Sequence, residues 1–207
     1  MSHSHNPWIP PGQDTDEVEV EDSSLHNQDP DLAITPTGPI LPQPGAGLPR
    51  GKGLELRRIT QNARLWWVGT HGGSGESTLA ALTEGSRDAH HEWPVPANPS
   101  VGEAPVVLTC RTNLLGLRSA QEALTQWASG AVPDVRLLGL VMIADAPGKS
   151  PKALKDFARL VAGGAPRVWD LPWIEEWRTD PPVAPSDHHG VNRRVRRVIK
   201  SAEHLLS

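Results

Sequence analysis

Apolar residues in this chain fall into two kinds of stretch: short unbroken runs, and longer segments with an apolar position at every third or fourth residue. The first fifty residues show neither. Leu65 to Val68 is an unbroken run and predicts a strand. Ser77 to Leu82 follows as a helix with Leu79, Ala80 and Leu82 apolar. Pro105 to Thr112 predicts a second buried strand through Val106, Val107, Leu108 and Cys110, and Leu114 to Ser129 predicts a helix with Leu114, Leu117, Ala120, Leu124 and Trp127 on one side, stopped by Gly130. Arg136 to Ala144 carries so many successive apolar residues that both faces must be covered. A helix over Pro151 to Val161 comes next, with proline in its first turn and Gly163-Gly164 beyond its end. Arg167 to Leu171 predicts a further strand. Val191 to Leu206 predicts a last helix, with Val191, Val195, Val198, Ile199, Ala202, Leu205 and Leu206 along one side. Glu92 to Pro96 reads as a short edge strand, because proline cannot donate to a central ladder. Strands alternating with helices define an α/β fold with a mostly parallel sheet.

Charge divides the chain where the pattern does. Residues 1–50 hold eight acids against one base, and nine of the 21 prolines. The formal charge is therefore −7 for this stretch and +3 for the remainder. So acidic and proline-rich a segment buries too little apolar surface to offset the entropy of ordering it, about 1–2 kcal/mol per residue. Residues 1–53 are expected to be a disordered acidic tail and linker, and residues 54–207 the folded domain. No apolar run approaches the roughly 20 residues of a membrane span, and the polar N-terminus has no signal-peptide core, so a cytoplasmic location is expected. Cys110 is the single cysteine and sits within an apolar strand, which makes it a buried, inert thiol.

The chemistry concentrates between Gly69 and Ala80. A strand, a glycine-rich turn and a helix start are how a phosphate-cradling loop is built, with backbone N–H groups of Gly72, Gly73 and Gly75 able to converge on an anion and Ser77 in the Mg²⁺-ligand position. The pattern G-x-x-x-x-G-K-[ST] calls for lysine where this chain has Glu76 and for glycine where it has Thr70. At about 4 Å and an effective dielectric near 20, a carboxylate facing a phosphate charge is repelled by roughly 4 kcal/mol. An exposed Glu76 could swing outward and avoid most of that repulsion, so binding is weakened rather than excluded, while phosphoryl transfer is expected to be poor.

The run His71-Gly72-Gly73-Ser74-Gly75-Glu76-Ser77-Thr78 resembles the K-G-G-x-G-K-[ST]-T deviant phosphate loop of MinD and ParA family ATPases. His71 stands where the family's signature lysine would be, and Glu76 where its loop lysine would be. Degenerate loops of this kind are similar to those of CpaE-like and septum-site relatives in actinobacteria and of proteins linked to their plasmids and conjugative elements. Val106 to Asn113 with Leu117 to Ala120, Leu138 to Val141, and Leu171 to Ile174 are similar to later strands and turns of that family. The resemblance implies a three-layer P-loop-like fold, ATP and Mg²⁺ as cofactors at Gly72, Gly73, Ser74, Gly75, Glu76, Ser77 and Thr78, and a homodimer as one assembly. Thr78 and Arg111 are only 33 residues apart, so the family's acidic switch segments are missing. The function implied is a non-hydrolysing regulatory or assembly component of a plasmid, conjugative or division-related system. An active ATP or GTP hydrolase using Lys149 or a partner's arginine is the alternative, and a DNA-binding accessory protein is the third.

Other residues qualify the picture. Asp145-Ala146-Pro147-Gly148 ends the best strand and offers Asp145 beside Ser77 as a metal ligand, although the same four residues are also ordinary turn chemistry. His3, His5, His90, His91, His188 and His189 read as loop and tail residues, since no Cys, Asp or Glu accompanies them at zinc spacing. Arg193, Arg194, Arg196, Arg197 and Lys200 form a basic helix face able to meet nucleic acid or an anionic membrane surface, to be masked by the acidic tail, or simply to stand in water. Trp169, Trp173 and Trp177, spaced by four, could share one face as a protein-docking surface or fill the core.

Overall fold

A computed structural model describes residues 36–43, 45, 52–184, 191 and 193–206. In chain order the elements are β1 (Glu55–Ile59), β2 (Leu65–Gly69), α1 (Glu76–Leu82), β3 (Ser86–Asp88), β4 (Glu92–Pro96), β5 (Ala104–Arg111), α2 (Leu114–Ala128), β6 (Val135–Ile143), α3 (Lys152–Ala162), β7 (Val168–Leu171) and α4 (Arg193–His204). Five strands form one sheet in the order β3-β2-β5-β6-β7, and every pairing in it is parallel. The α/β class and parallel sheet read from the apolar runs are therefore present.

Alternation along the strands covers both faces. Trp66 and Val68 of β2, Val106, Leu108 and Cys110 of β5, and Leu140 and Met142 of β6 pack with α2 and α3. Their neighbours Leu65, Trp67, Val107, Val141 and Ile143 pack on the opposite face with α1 and α4. Helix α4 turns Val195, Val198, Ile199 and Ala202 inward and leaves Arg193, Arg196 and Arg197 exposed, as its periodicity predicts. Between β5 and β6 the register slips by one residue, from Val106 opposite Leu137 to Val107 opposite Gly139. Gly139 is required there. A Cβ at this position would lie 2.6 Å from the Arg167 carbonyl oxygen and against the Trp169 ring.

Two strands escape the apolar pattern. β3 is three residues long with none buried, and β1, Glu-Leu-Arg-Arg-Ile, buries only Ile59. β1 pairs in parallel with β4 as a separate two-stranded sheet, which makes Glu92–Pro96 the edge strand expected of a proline-bearing segment. Gln126 of α2 ties this small sheet to the main core. Its Oε1 accepts from the Leu54 backbone N–H and from Trp93 Nε1, both at 2.9 Å, and its Nε2 donates to the Leu54 carbonyl. Trp93 is fully buried, so Gln126→Ala strands an indole N–H without a partner. A loss of about 1–2 kcal/mol in urea unfolding, with β1 and β4 amides losing exchange protection first, is the expected result.

Within the stretch read as tail and linker, residues 36–43 are described and make contacts with the domain. Thr37 N–H donates to the Pro166 carbonyl at 2.8 Å and Gln43 N–H to the Ala128 carbonyl at 2.7 Å. Gly38 lies so close to the Ala165 and Gly163 carbonyls that no side chain fits. Residues 36–43 thus run along the C-terminal ends of α2 and α3, because those helix ends present carbonyls that need donors. The acidic residues of the tail, and His3, His5, His188 and His189, lie outside the described residues.

Cys110 is buried as its position in β5 implies, and burial, with the Asp170 charge second, pushes its thiol up to about 12. The native thiol is therefore expected to resist a thiol-exchange reagent at pH 8 and to react with one equivalent on unfolding. The sign for stability follows from the proton count. Between the unfolded thiol's value near 9 and the folded value, the folded state keeps a proton the unfolded state has lost, so this contribution declines as pH rises through that window. Cys110→Ala should flatten the decline in alkaline unfolding curves.

Candidate functional site

Numbering only the strands of the five-stranded sheet, the order is 2-1-3-4-5, a doubly wound arrangement with its switch point between β2 and β5. The segments leaving the carboxyl ends of those two strands flank the crevice where such sheets bind ligands. They are the glycine-rich loop and Arg111-Thr112-Asn113.

The loop carries glycines in the left-handed region, as a phosphate-cradling turn would. Gly73 and Gly75 have φ of 75° and 88°, and Gly75 precedes α1 in the left-handed conformation that only glycine adopts without strain. The Ser74 side chain is buried, and its Oγ bonds Thr109 Oγ1 of β5 at 3.0 Å. Thr70, standing where the motif has glycine, donates its N–H and hydroxyl to the Thr109 carbonyl.

Glu76 does not swing outward. It is 4% exposed and folds back under the loop, with Oε2 accepting the Gly69 N–H at 2.6 Å and Oε1 the His91 N–H at 3.2 Å. The His91 ring Nδ1 is 2.6 Å from Oε2. The inward direction has a physical cause. Gly69 has no Cβ, and one built there would collide with the Glu76 carboxylate and the Ser74 hydroxyl, so the strand end offers a bare N–H in a space shaped for an anion. His90 and His91, at φ of 54° and 62°, bend the chain after β3 so that backbone and ring donors meet that anion from the other side.

His71 is the second anchor. Its Nε2 accepts the Arg111 N–H at 3.0 Å, which leaves the ring proton on Nδ1 to donate to the Gly72 carbonyl at 2.8 Å. His71 is therefore a neutral bridge between loop and β5. Arg111 completes it, donating from Nε to the Gly73 carbonyl and from Nη1 to the Ala144 carbonyl, both at 3.0 Å, with its guanidinium 5.9 Å from the Trp173 ring centroid. Burial lowers the Arg111 pKa, opposed by the nearby Asp145 carboxylate. Trp173 also stacks with Arg178, and its indole N–H and that guanidinium together hold the exposed Glu175 below the usual carboxylate range.

The residues proposed for metal binding have different surroundings. Ser77 is exposed and lines a cleft of about 390 Å³ with Trp66, Asp88 and His90, beside β3. Asp145 is exposed after β6 and accepts from Asn113 Nδ2 at 2.7 Å, while Asn113 Oδ1 caps α2 through the Gly116 N–H. The three tryptophans lie in different elements, with Trp169 and Trp177 both packed in the cluster beneath α4. Trp169 is core in β7 and bonds Ser201 of α4, Trp173 follows the strand, and Trp177 lies in a short 3-10 turn. Spacing by four gives a common face only along one continuous helix or strand, and here β7 ends at Leu171 and a 3-10 turn begins at Glu175.

The residues present do not fit a triphosphate in the way a working loop would. The positions that carry lysines in such loops hold a neutral imidazole and a buried carboxylate, and the guanidinium beside the loop is turned onto two backbone carbonyls. Sequence reasoning missed Arg111, Gly69, Asp88 and the convergence of His90 and His91. The histidine pair is on a loop as read, but its acidic neighbours come from β3 and α1 and not from zinc-like spacing. The polar run Arg87-Asp88-Ala89-His90 shortly after α1 was the available signal.

The fold and loop define a doubly wound α/β protein with a glycine-rich loop at the switch point. The chain belongs to the family described as "Family of unknown function (DUF6668)", whose profile matches residues 63–199, a span from just before β2 into α4. No curated protein matches the chain, and no solved structure does. Among the described residues no helix is long and apolar enough to cross a membrane.

Proposed function

We propose that this protein is a degenerate MinD/ParA-like phosphate-loop protein that does not hydrolyse nucleotide and serves as a regulatory or assembly component, in keeping with the plasmid, conjugative or division-related setting its loop sequence suggests. One observation carries the reading: the carboxylate in the loop-lysine position is buried and accepts from two backbone N–H groups and an imidazole. Phosphoryl transfer needs a cation at the transferring group, and this position has become a brace. The exposed arginines of α4, and Trp173 held between Arg111 and Arg178, are the surfaces offered to nucleic acid and protein partners. Calorimetry with ATP·Mg²⁺ tests the proposal. Heats indistinguishable from dilution at millimolar nucleotide are expected, whereas micromolar binding with turnover would establish the hydrolase alternative, with Arg111 as the first cation to mutate.

A further inference from the structure

We propose that Glu76, Asp88 and His90 form a binding site for one divalent first-row transition-metal ion, with zinc the best-matched member. A carboxylate oxygen from Glu76, one from Asp88 and a ring nitrogen of His90 all lie within 4.8 Å of one another. His90 Nδ1 and Asp88 Oδ2 are already 3.5 Å apart. Two ligands each about 2.0–2.1 Å from a tetrahedral ion are separated by about 3.4 Å, so this edge of the coordination polyhedron is in place. One imidazole and two carboxylates form a nitrogen-oxygen donor set that favours zinc or manganese over magnesium, and among these ions affinity rises toward zinc.

Orientation of the buried ligand is also provided. Gly69 N–H and His91 hold the Glu76 carboxylate from behind, as outer hydrogen bonds commonly fix metal-ligating groups. Oε1, with its one long bond to the His91 N–H, retains a lone pair. The consecutive left-handed residues His90 and His91 place one ring on Asp88 and the next on Glu76, which an extended strand could not do.

A cleft adjoins the three ligands. Trp66 lines it with Asp88 and His90, is 3% exposed, and its indole Nε1 has no hydrogen-bond partner. Arg57, Arg87 and Ser77 share that lining, so an ion here would face donors suited to the oxygen atoms of a bound anion. The site would restore, as a metal ion, the positive charge that Glu76 removed from the loop. It stands whether or not nucleotide binds.

The test is calorimetric titration of the metal-free full-length chain with Zn²⁺, Mn²⁺ and Mg²⁺, in parallel with a variant in which His3, His5, His188 and His189 are all alanine. One Zn²⁺ per chain, bound more tightly than Mn²⁺ and far more tightly than Mg²⁺, is expected in both. Asp88→Asn and His90→Ala should each weaken Zn²⁺ binding by about 10-fold or more while leaving the metal-free circular dichroism unchanged. Zn²⁺ should also raise the melting temperature of the wild type but not of Asp88→Asn. Loss of binding in the four-histidine variant, or binding that neither Asp88→Asn nor His90→Ala weakens, would overturn the proposal.

Discussion

Glu76→Lys lowers the unfolding free energy by about 3–5 kcal/mol and creates no nucleotide site. The phosphate-loop pattern has lysine at this position, and on that ground alone the change would complete the motif. The geometry gives the opposite sign. Gly69 N–H and His91 are donors arranged around an anion, and an ammonium placed among them leaves each without an acceptor and adds like charge if the imidazole is protonated. Glu76→Gln keeps one acceptor oxygen, and its cost should be only about 1–2 kcal/mol. Urea unfolding followed by tryptophan fluorescence reads both, since Trp66 and Trp67 lie in the adjacent strand. Equal stability of Glu76→Lys and wild type would mean that the side chain at 76 faces water.

Gly116→Ala destabilises by about 2–3 kcal/mol, again against the local rule. Alanine in place of a helical glycine normally stabilises by up to about 1 kcal/mol. Gly116, in the first turn of α2, packs against the Arg111 carbonyl, and an added Cβ would stand 2.7 Å from His71 Nε2. The ring would have to leave, breaking its bond to the Arg111 N–H and freeing the loop from β5. Amide exchange at Arg111 should therefore speed up more than exchange at Leu124, deep in the same helix. A gain in stability would show that His71 does not bridge the loop and β5.

How far the sequence could be read depended on whether burial left a pattern. β5 and β6 are covered on both faces, and their apolar runs located them to within a residue at each end. α2 and α4 were equally plain because one face of each is core. β1 and β3 carried no such mark, since an edge or half-exposed strand tolerates Arg, Asp and Ser, and they hold their places through backbone pairing with β4 and β2. At the site, glycine spacing was enough to locate the loop at the switch point. What it could not give was the direction of Glu76, which depends on a missing Cβ seven residues earlier and on a turn fifteen residues later. The same holds for His71, whose partner Arg111 is 40 residues away. Side-chain direction at a loop is decided by which donors the fold delivers, and those arrive from elements that no local window contains.

The most direct measurement is the amide proton of Gly69 by nuclear magnetic resonance. A short bond to a buried carboxylate moves that resonance downfield and protects it from exchange to the level of global unfolding, and Glu76→Gln should move it back while Thr109 in the neighbouring strand stays put. A Gly69 amide at an ordinary shift that exchanges freely, unchanged by the substitution, would contradict the inward carboxylate, and the brace in place of a phosphate contact would fall with it.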